Sequence, residues 1–392
     1  MEQVRIGIIG IGNMGGAHAI CIYEDRIQGM KLAAVCDNNP ARLKWAKEQF
    51  DNRVVLFEDY RQMLDSGLID AVLIATPHPL HPMIAIDSFR RKLHVLTEKP
   101  AGIDTLHVRQ MNQAAEESGC VFGIMYNQRT NMLYAKLREM VKDGSLGEMK
   151  RLVWIITNWY RSQAYYDSGS WRATWDGEGG GVLLNQCPHN LDLWQWIAGM
   201  PVKVRGFCNY GKYHNIDVED DVTAYAEYAN GATAVFITST GEYPGTNRLE
   251  ISGTKGKAVI ENGTLKFYEL PEDEREICYK TEDSFPKIVI KEEVIQQEES
   301  DTAHAGILQN FTNAILYGEP LLAPGKEGVN GLTLSNSIYL SDWLNGDVTL
   351  PMDEELFLKM LTEKQRKPMH DTKKQQHDEC NKEYSDRWSV RW

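Results

Sequence analysis

The chain has no CxxC pair, no run of basic residues and no apolar stretch approaching a membrane span. Its seven cysteines are scattered, and an odd number cannot complete an internal disulfide framework, so a reducing compartment is expected. The formal net charge of −13 argues against a general nucleic-acid binder. Without about 20 consecutive apolar residues nothing can cross a bilayer as a helix. The N-terminus runs at once into an apolar strand, which leaves no room for a secretory signal, and a cytoplasmic location is expected. Metal-ligand spacing is missing too. His78-Pro79-Leu80-His81 and the group Cys187, His189 and Asp192 hold ligand types, but neither has the spacing of a structural zinc site, so no required metal is expected. No internal repeat stands out. What remains is an ordinary soluble composition, 42% hydrophobic and 25% charged, over 392 residues, enough for two domains.

Val4 to Ile9 reads as a buried strand, and Gly10-Ile11-Gly12-Asn13-Met14-Gly15 follows it directly. A bare GxGxxG is weak, because glycine is common in loops. Here it stands between a strand and a helix, where Gly10 permits a tight turn, Gly12 admits a pyrophosphate and Gly15 lets the helix pack closely. The helix N-terminus offers free N–H groups to phosphate. A second strand, Lys31 to Cys36, ends at Asp37, the expected distance on for the acid that binds a ribose 2′-hydroxyl. A carboxylate there repels a 2′-phosphate, so NAD is expected over NADP. Arg42, five residues on, is the competing candidate as a phosphate ligand, and Asp37 also suits a helix cap.

Strands and helices then alternate to about residue 126, with strands at Asp70–Ala75, Leu93–Leu96 and Cys120–Met125. This pattern specifies a doubly wound parallel sheet of the Rossmann type. Ligands belong at the carboxyl ends of its strands, where Gly10, Asp37, Thr76, Glu98-Lys99 and Tyr126-Asn127 fall. The segment Thr76-Pro77-His78, with His81 beyond it, is expected to lie over the cofactor. From residue 127 the pattern changes. After a helix at Met132–Lys142, strand-like runs at 150–159, 202–213, 222–228, 232–239 and 248–252 predict an α/β domain with a large, mostly antiparallel open sheet. Charged stretches such as Glu292 to Asp301 read as solvated faces or loops. The expected division is 1–126 for the cofactor, 127–368 for substrate and assembly, and a polar tail, 369–392. That tail ends with Trp388, Val390 and Trp392 in alternation, an apolar face expected to dock on the second sheet or a neighbouring subunit.

Lys99, in Glu98-Lys99-Pro100, sits at a strand's carboxyl end, where an ammonium can polarise a substrate hydroxyl; elsewhere such a lysine is simply an ion-pairing surface residue. The run Gly179-Gly180-Gly181-Val182-Leu183-Leu184-Asn185-Gln186-Cys187-Pro188-His189-Asn190-Leu191-Asp192 leads into a helix that begins at Pro188 and stops at Gly199. His189 in the first turn is disfavoured as imidazolium by about 0.3–1 kcal/mol, which keeps the ring able to take a proton. Asn185 can share its cavity, and Asp192, three residues on, can orient the ring. A purely structural histidine is the competing reading.

Together the Gly10–Gly15 loop, Glu98-Lys99-Pro100 and the glycine-rich run ending at His189-Asn190-Leu191-Asp192 resemble the glucose-fructose oxidoreductase/inositol dehydrogenase (Gfo/Idh/MocA) family, over about residues 1–350. The resemblance implies a Rossmann domain followed by an α/β domain whose open sheet supports the substrate site and mediates oligomerisation; with the aromatic end of the tail to bury, a homodimer or homotetramer is expected. It implies that Lys99 and His189 are catalytic, that Glu98-Lys99-Pro100 lines the nicotinamide pocket, and that the peptide before Pro100 is often cis. Many members carry aspartate four residues before the histidine, where this chain has Asn185. An amide can bind a sugar hydroxyl but cannot relay its proton. Asn185→Asp is accordingly expected to be active, with a shifted pH–rate profile.

Six of the ten tryptophans lie between Trp154 and Trp196. Trp154, Trp194 and Trp196 look like core. Arg129, Trp159, Arg161, Trp171, Arg172 and Trp175 are candidate substrate contacts, since aromatic faces cover sugar rings and polar groups read hydroxyls. The expected function is NAD-dependent oxidation of a secondary hydroxyl of a sugar, glycoside or cyclitol. The Tyr126–Arg129 and Asn185–His189 variants most resemble glycoside 3-dehydrogenases, with inositol dehydrogenases next. The alternatives are an NAD-dependent glycosidase acting by transient C3 oxidation, and a non-catalytic NAD(H)-binding sensor or scaffold.

Overall fold

A computed structural model describes residues 2–169, 171–297 and 302–366. The C-terminal tail, with Trp388, Val390 and Trp392, lies outside the described residues. Six strands form the first sheet: β1 (Val4–Ile9), β2 (Met30–Cys36), β3 (Val55–Phe57), β4 (Ala71–Ile74), β5 (His94–Thr97) and β6 (Phe122–Ile124). Their order is β3-β2-β1-β4-β5-β6 and every pairing is parallel. This is the doubly wound Rossmann arrangement, and its strand order reverses between β1 and β4, where the crevice for a ligand opens. Ile6, Ile8, Val35, Val72, Leu73 and Val95 are fully buried because helices cover both faces, which is why these strands read as continuous apolar runs. The helices start at sequence-coded caps: Asn39 accepts from the Ala41 N–H, Asp59 from Arg61 and Asp104 from His107.

The second sheet has nine strands: β7 (Met149–Ile156), β8 (Lys203–Tyr210), β9 (Glu219–Glu227), β10 (Thr233–Ser239), β11 (Asn247–Gly253), β12 (Gly256–Glu261), β13 (Thr264–Glu269), β14 (Lys291–Gln296) and β15 (Val348–Thr349). Their order is β14-β13-β12-β11-β7-β10-β9-β8-β15, antiparallel except between β7 and β10. Alternate residues, such as Leu152, Trp154 and Ile156 on β7 and Ala234 and Phe236 on β10, are buried while their neighbours are half-exposed. One face is therefore core, and the helices Pro188–Ala198 and Gly328–Leu344 pack there.

Two departures from the sequence reading concern this unit. Part of the charged stretch from Glu292 forms β14, an exposed edge strand whose Lys291, Glu292 and Glu293 leave it charged. Charge on an edge discourages pairing with another chain. The chain also crosses back after the second sheet. Helix Ala303–Tyr317 and the segment to Pro324 return to the parallel sheet, where Ile124 N–H donates to Ala323 O and Gln28 bonds Gln309.

Candidate active site

The Gly10–Gly15 loop turns from β1 into helix Asn13–Tyr23. Gly10 has φ +83°, and a Cβ at Gly15 would lie 1.8 Å from Gly10 O, so the turn admits no side chain there. At Gly12 an added Cβ would meet nothing within 4 Å. Gly12 is also the helix N-cap, with no side-chain cap on the first N–H groups, and Gly12, Asn13 and Met14 are all at least partly exposed. Asp37 Oδ2 accepts from the Ile11 N–H at 2.9 Å and its Oδ1 from Asn39 at 2.9 Å. A carboxylate has further lone pairs for ribose hydroxyls. Arg42 donates to Ile11 O at 2.7 Å and Gly12 O at 3.2 Å and stacks on Trp45, so it clamps the loop's carbonyls where a phosphate ligand had been the competing expectation.

Past β4, Thr76 Oγ1 is buried without a partner, as is Asn127 Oδ1 past β6. Pro77 is exposed beside them. Open space at Gly12, uncapped N–H groups and these two orphaned polar atoms fit a dinucleotide lying across the carboxyl ends. His78 and His81 do something other than face that space. His81 is fully buried, its ring nitrogens 2.8 Å from Pro100 O and 2.7 Å from Thr76 O, and it braces the loop. The His78 ring nitrogen lies 3.0 Å from Glu178 O and its ring abuts Trp171, which ties this loop to the second unit.

Glu98 and Lys99 follow β5, and the Lys99–Pro100 peptide is cis, as the family resemblance implied. Glu98 is buried, with His18 Nε2 2.7 Å from its Oε1 and the Lys99 N–H donating to Oε2. Burial alone would raise this carboxyl; the His18 bond and the nearby His304 and Lys99 outweigh it and bring it down to about 2. The Lys99 ammonium donates to Asn185 O at 3.0 Å. Burial lowers its pKa, Glu98 and Glu178 oppose that, and Arg161 and Arg172 add to it. His189, at the start of helix Pro188–Ala198, keeps Nδ1 without a partner and packs edge-on to Tyr126. Burial first, then the Lys99 and His304 charges, hold it well below the ordinary histidine range. Both causes favour the neutral ring, and burial is the larger.

Asp192 does not orient that ring. Its two oxygens accept from Arg129 Nε at 2.9 Å and Nη2 at 2.6 Å, and Gln195 donates to it at 2.9 Å. Arg129 also reaches Leu322 O and Glu327, and it is only 1% exposed. Its guanidinium ties three segments together beneath the site and offers nothing to a substrate. Trp175 is likewise core: its indole N–H donates to Asp217 O, and Tyr339, Trp343 and Tyr210 surround it. The other four candidates form one wall on the segment after β7. Arg172 lies over the rings of Tyr165 and Trp171 and donates to the Tyr165 hydroxyl, while Arg161 lies over Tyr165 and near Trp159. Trp154 and Trp194 are core as expected, and Trp196 is half-buried under Arg129 and Arg138.

Three groups had no sequence signal. His18 and His304 meet from helices far apart in sequence, their ring centroids 5.6 Å apart. Glu178 is buried and accepts from the Asn185 side-chain amide. The glycine run itself is held by Glu219 on β9, whose oxygens accept from Gly181, Leu183 and the Tyr339 hydroxyl. A Cβ at Gly181 would come within 2.0 Å of Glu219 O, so the run packs against β9 at backbone distance. Among the described residues no group of three or more His, Cys, Asp or Glu side chains is placed to hold a metal, and no helix is long and apolar enough to cross a membrane.

Residues 4–126 match the family of oxidoreductases with an NAD-binding Rossmann fold (GFO_IDH_MocA), and residues 134–259 match the GFO/IDH/MocA C-terminal domain. The chain belongs to the GFO/IDH/MocA family. It is an NAD-binding oxidoreductase of that family. It is 26% identical over 269 residues to a myo-inositol 2-dehydrogenase of Thermotoga maritima, covering 66% of this chain and 75% of that one. It is 25% identical over 294 residues to a levoglucosan dehydrogenase of Pseudarthrobacter phenanthrenivorans, covering 66% and 74%. The fold matches the WlbA dehydrogenase of Bordetella pertussis, solved with NADH and UDP-GlcNAcA, with a TM-score of 0.74 at 24% identity over 90% of this chain and 100% of that one.

Proposed function

We propose that the protein oxidises a secondary hydroxyl of a sugar, glycoside or cyclitol to a ketone, reversibly, and that among these its substrates are glycosides oxidised at C3. The observation that carries this reading is the meeting of Lys99, past the carboxyl end of β5, with the Asn185–His189 segment, whose His189 abuts Tyr126 past β6, with Arg161 and Arg172 of the aromatic wall near enough to act on the Lys99 charge. NAD, when bound, accepts hydride at C4 of the nicotinamide. His189, held neutral by burial and half-buried at the start of its helix, takes the hydroxyl proton. Lys99, held at Asn185 O, donates to the same oxygen and stabilises developing alkoxide. The aromatic and guanidinium wall covers a ring face and reads hydroxyls. Relatives named as inositol and levoglucosan dehydrogenases support the substrate class.

The test is absorbance of reduced nicotinamide with NAD and a panel of glucosides, free hexoses, inositols and sugar nucleotides. Net reduction with methyl glucosides is expected to exceed that with inositols. Release of the aglycone with no net reduction would overturn the reading in favour of a redox-neutral glycosidase. Cofactor choice gives a second measurement. Asp37→Ala is expected to narrow the preference for NAD over NADP by weakening NAD. Arg42→Ala is expected to weaken both equally, because Arg42 holds loop carbonyls. Comparable catalytic efficiencies with both cofactors in the unmodified enzyme would return Arg42 to the role of phosphate ligand.

A further inference from the structure

Glu178 ends the turn that begins at Trp171 and precedes the three glycines, and it is only 1% exposed. Its Oε2 accepts from the Ala173 N–H at 2.7 Å, and its Oε1 accepts from the Asn185 side chain. The charged groups facing it are Arg172 and Lys99. The neighbouring ring, His78, bonds its backbone oxygen. A carboxylate can only accept, so the Asn185 amide must turn its nitrogen toward Glu178. Asn185 Oδ1 is thereby directed away from Glu178, as an acceptor. Asn185 also receives the Lys99 ammonium on its backbone oxygen, so one residue carries both connections. Burial pushes the Glu178 carboxyl up, while Ala173, Arg172, Asn185 and Lys99 pull it back toward the ionised form.

We propose that Glu178 is a positioning residue, which fixes the Asn185 amide so that Oδ1 accepts from the hydroxyl being oxidised and which holds a balancing negative charge beside Lys99. The inference rests on the oxidation of a hydroxyl proposed for this site. It also changes the expectation for Asn185→Asp. That substitution brings two carboxylates together in a buried site, where both cannot stay ionised and one takes up a proton. Glu178→Gln must keep its one oxygen on the Ala173 N–H and so turns its Nε2 toward Asn185, which favours the reversed Asn185 amide, and it removes the charge beside Lys99. The exchanged pair, Glu178→Gln with Asn185→Asp, restores one carboxylate, one amide and the bond between them.

The four proteins are compared in kcat/KM against pH, with NAD and the best substrate of the panel, and in melting temperature against pH without substrate. Each single variant is expected to lose on the order of 10²-fold in kcat/KM, mostly in kcat, with KM for NAD unchanged. The exchanged pair is expected to recover most of that loss, with an altered pH profile because the carboxylate now faces the substrate. Asn185→Asp alone holds a proton when folded that it releases when unfolded, so its melting temperature is expected to fall as pH rises from about 5 to about 8. The exchanged pair should not show that fall. An Asn185→Asp protein that matches the unmodified one in both measurements overturns the inference. So does an exchanged pair no better than the worse single variant. If the unmodified protein reduces NAD with nothing in the panel, the proposed function fails, while the melting curves still decide whether Glu178 and Asn185 are coupled.

Discussion

Alanine at Lys99 or at His189 is expected to lower turnover by on the order of 10²–10⁴-fold while leaving NADH affinity intact. The Gly10–Gly15 loop, Asp37 and Arg42 hold one another through bonds that involve neither residue, so the dinucleotide site survives. The two variants should differ in their pH profiles. His189 is held well below its ordinary range by burial and by Lys99, so the acid limb for oxidation is expected well on the acid side of the ordinary histidine range in the unmodified enzyme. Removing the Lys99 charge relieves part of that depression, so in Lys99→Ala the acid limb should move upward. Steady-state rates against pH and NADH fluorescence titration check both halves. A His189→Ala protein that aggregates or loses cofactor affinity, yet turns over nearly as fast, would make that histidine structural.

Arg129→Met is expected to destabilise the protein by about 3–5 kcal/mol, because it strands the Asp192 carboxylate in the core with only Gln195 as donor. Burial already pushes Asp192 upward and Arg129 brings it back down, so the stranded carboxyl takes up a proton in the folded state. That raises the folded pKa above the unfolded one, so the variant's deficit should be smallest in acid and grow as pH rises. Arg129→Met with Asp192→Leu should recover much of the loss, since an apolar pair of similar volume leaves no fully buried charge behind, and Glu327, the other carboxylate on Arg129, is a third exposed to water. Chemical unfolding of the four proteins at about pH 5 and about pH 8 measures this. If Arg129→Met instead leaves stability alone and raises KM for the substrate, the guanidinium belongs to the substrate site after all.

The parallel sheet was legible because its signals are local. A buried strand is a continuous apolar run, a helix start is an Asn or Asp with the right spacing, and Gly15 permits the tight helix packing without which the turn cannot close. The same holds for Lys99, which the end of β5 places on the ligand side, and for the helix that Pro188 opens and Gly199 closes. Strands β12 to β14 were harder to read. Their pairing is set by neighbours in a wide sheet, and β14 is charged and exposed, so it has no apolar period to reveal it. The tryptophans show the same limit. Trp171 and Trp175 look alike in sequence, yet one joins the wall beside Arg172 and the other is enclosed by Tyr210, Tyr339 and Trp343.

Sequence alone thus determined the fold class and the NAD-binding loop, and it offered Lys99 and His189 for the proton, because each depends on backbone geometry or residue type at one place in the chain. Tertiary structure alone decided which charges meet. Arg129 and Asp192 lie 63 residues apart and pair with each other, where the sequence had offered one to substrate and the other to His189. Glu178 and Asn185 are close in sequence, but both lie in an irregular loop whose path is set by Glu219 and Tyr339 reaching in from elsewhere. A charge partner is chosen by burial and distance, and neither is written in the spacing of residues along a chain.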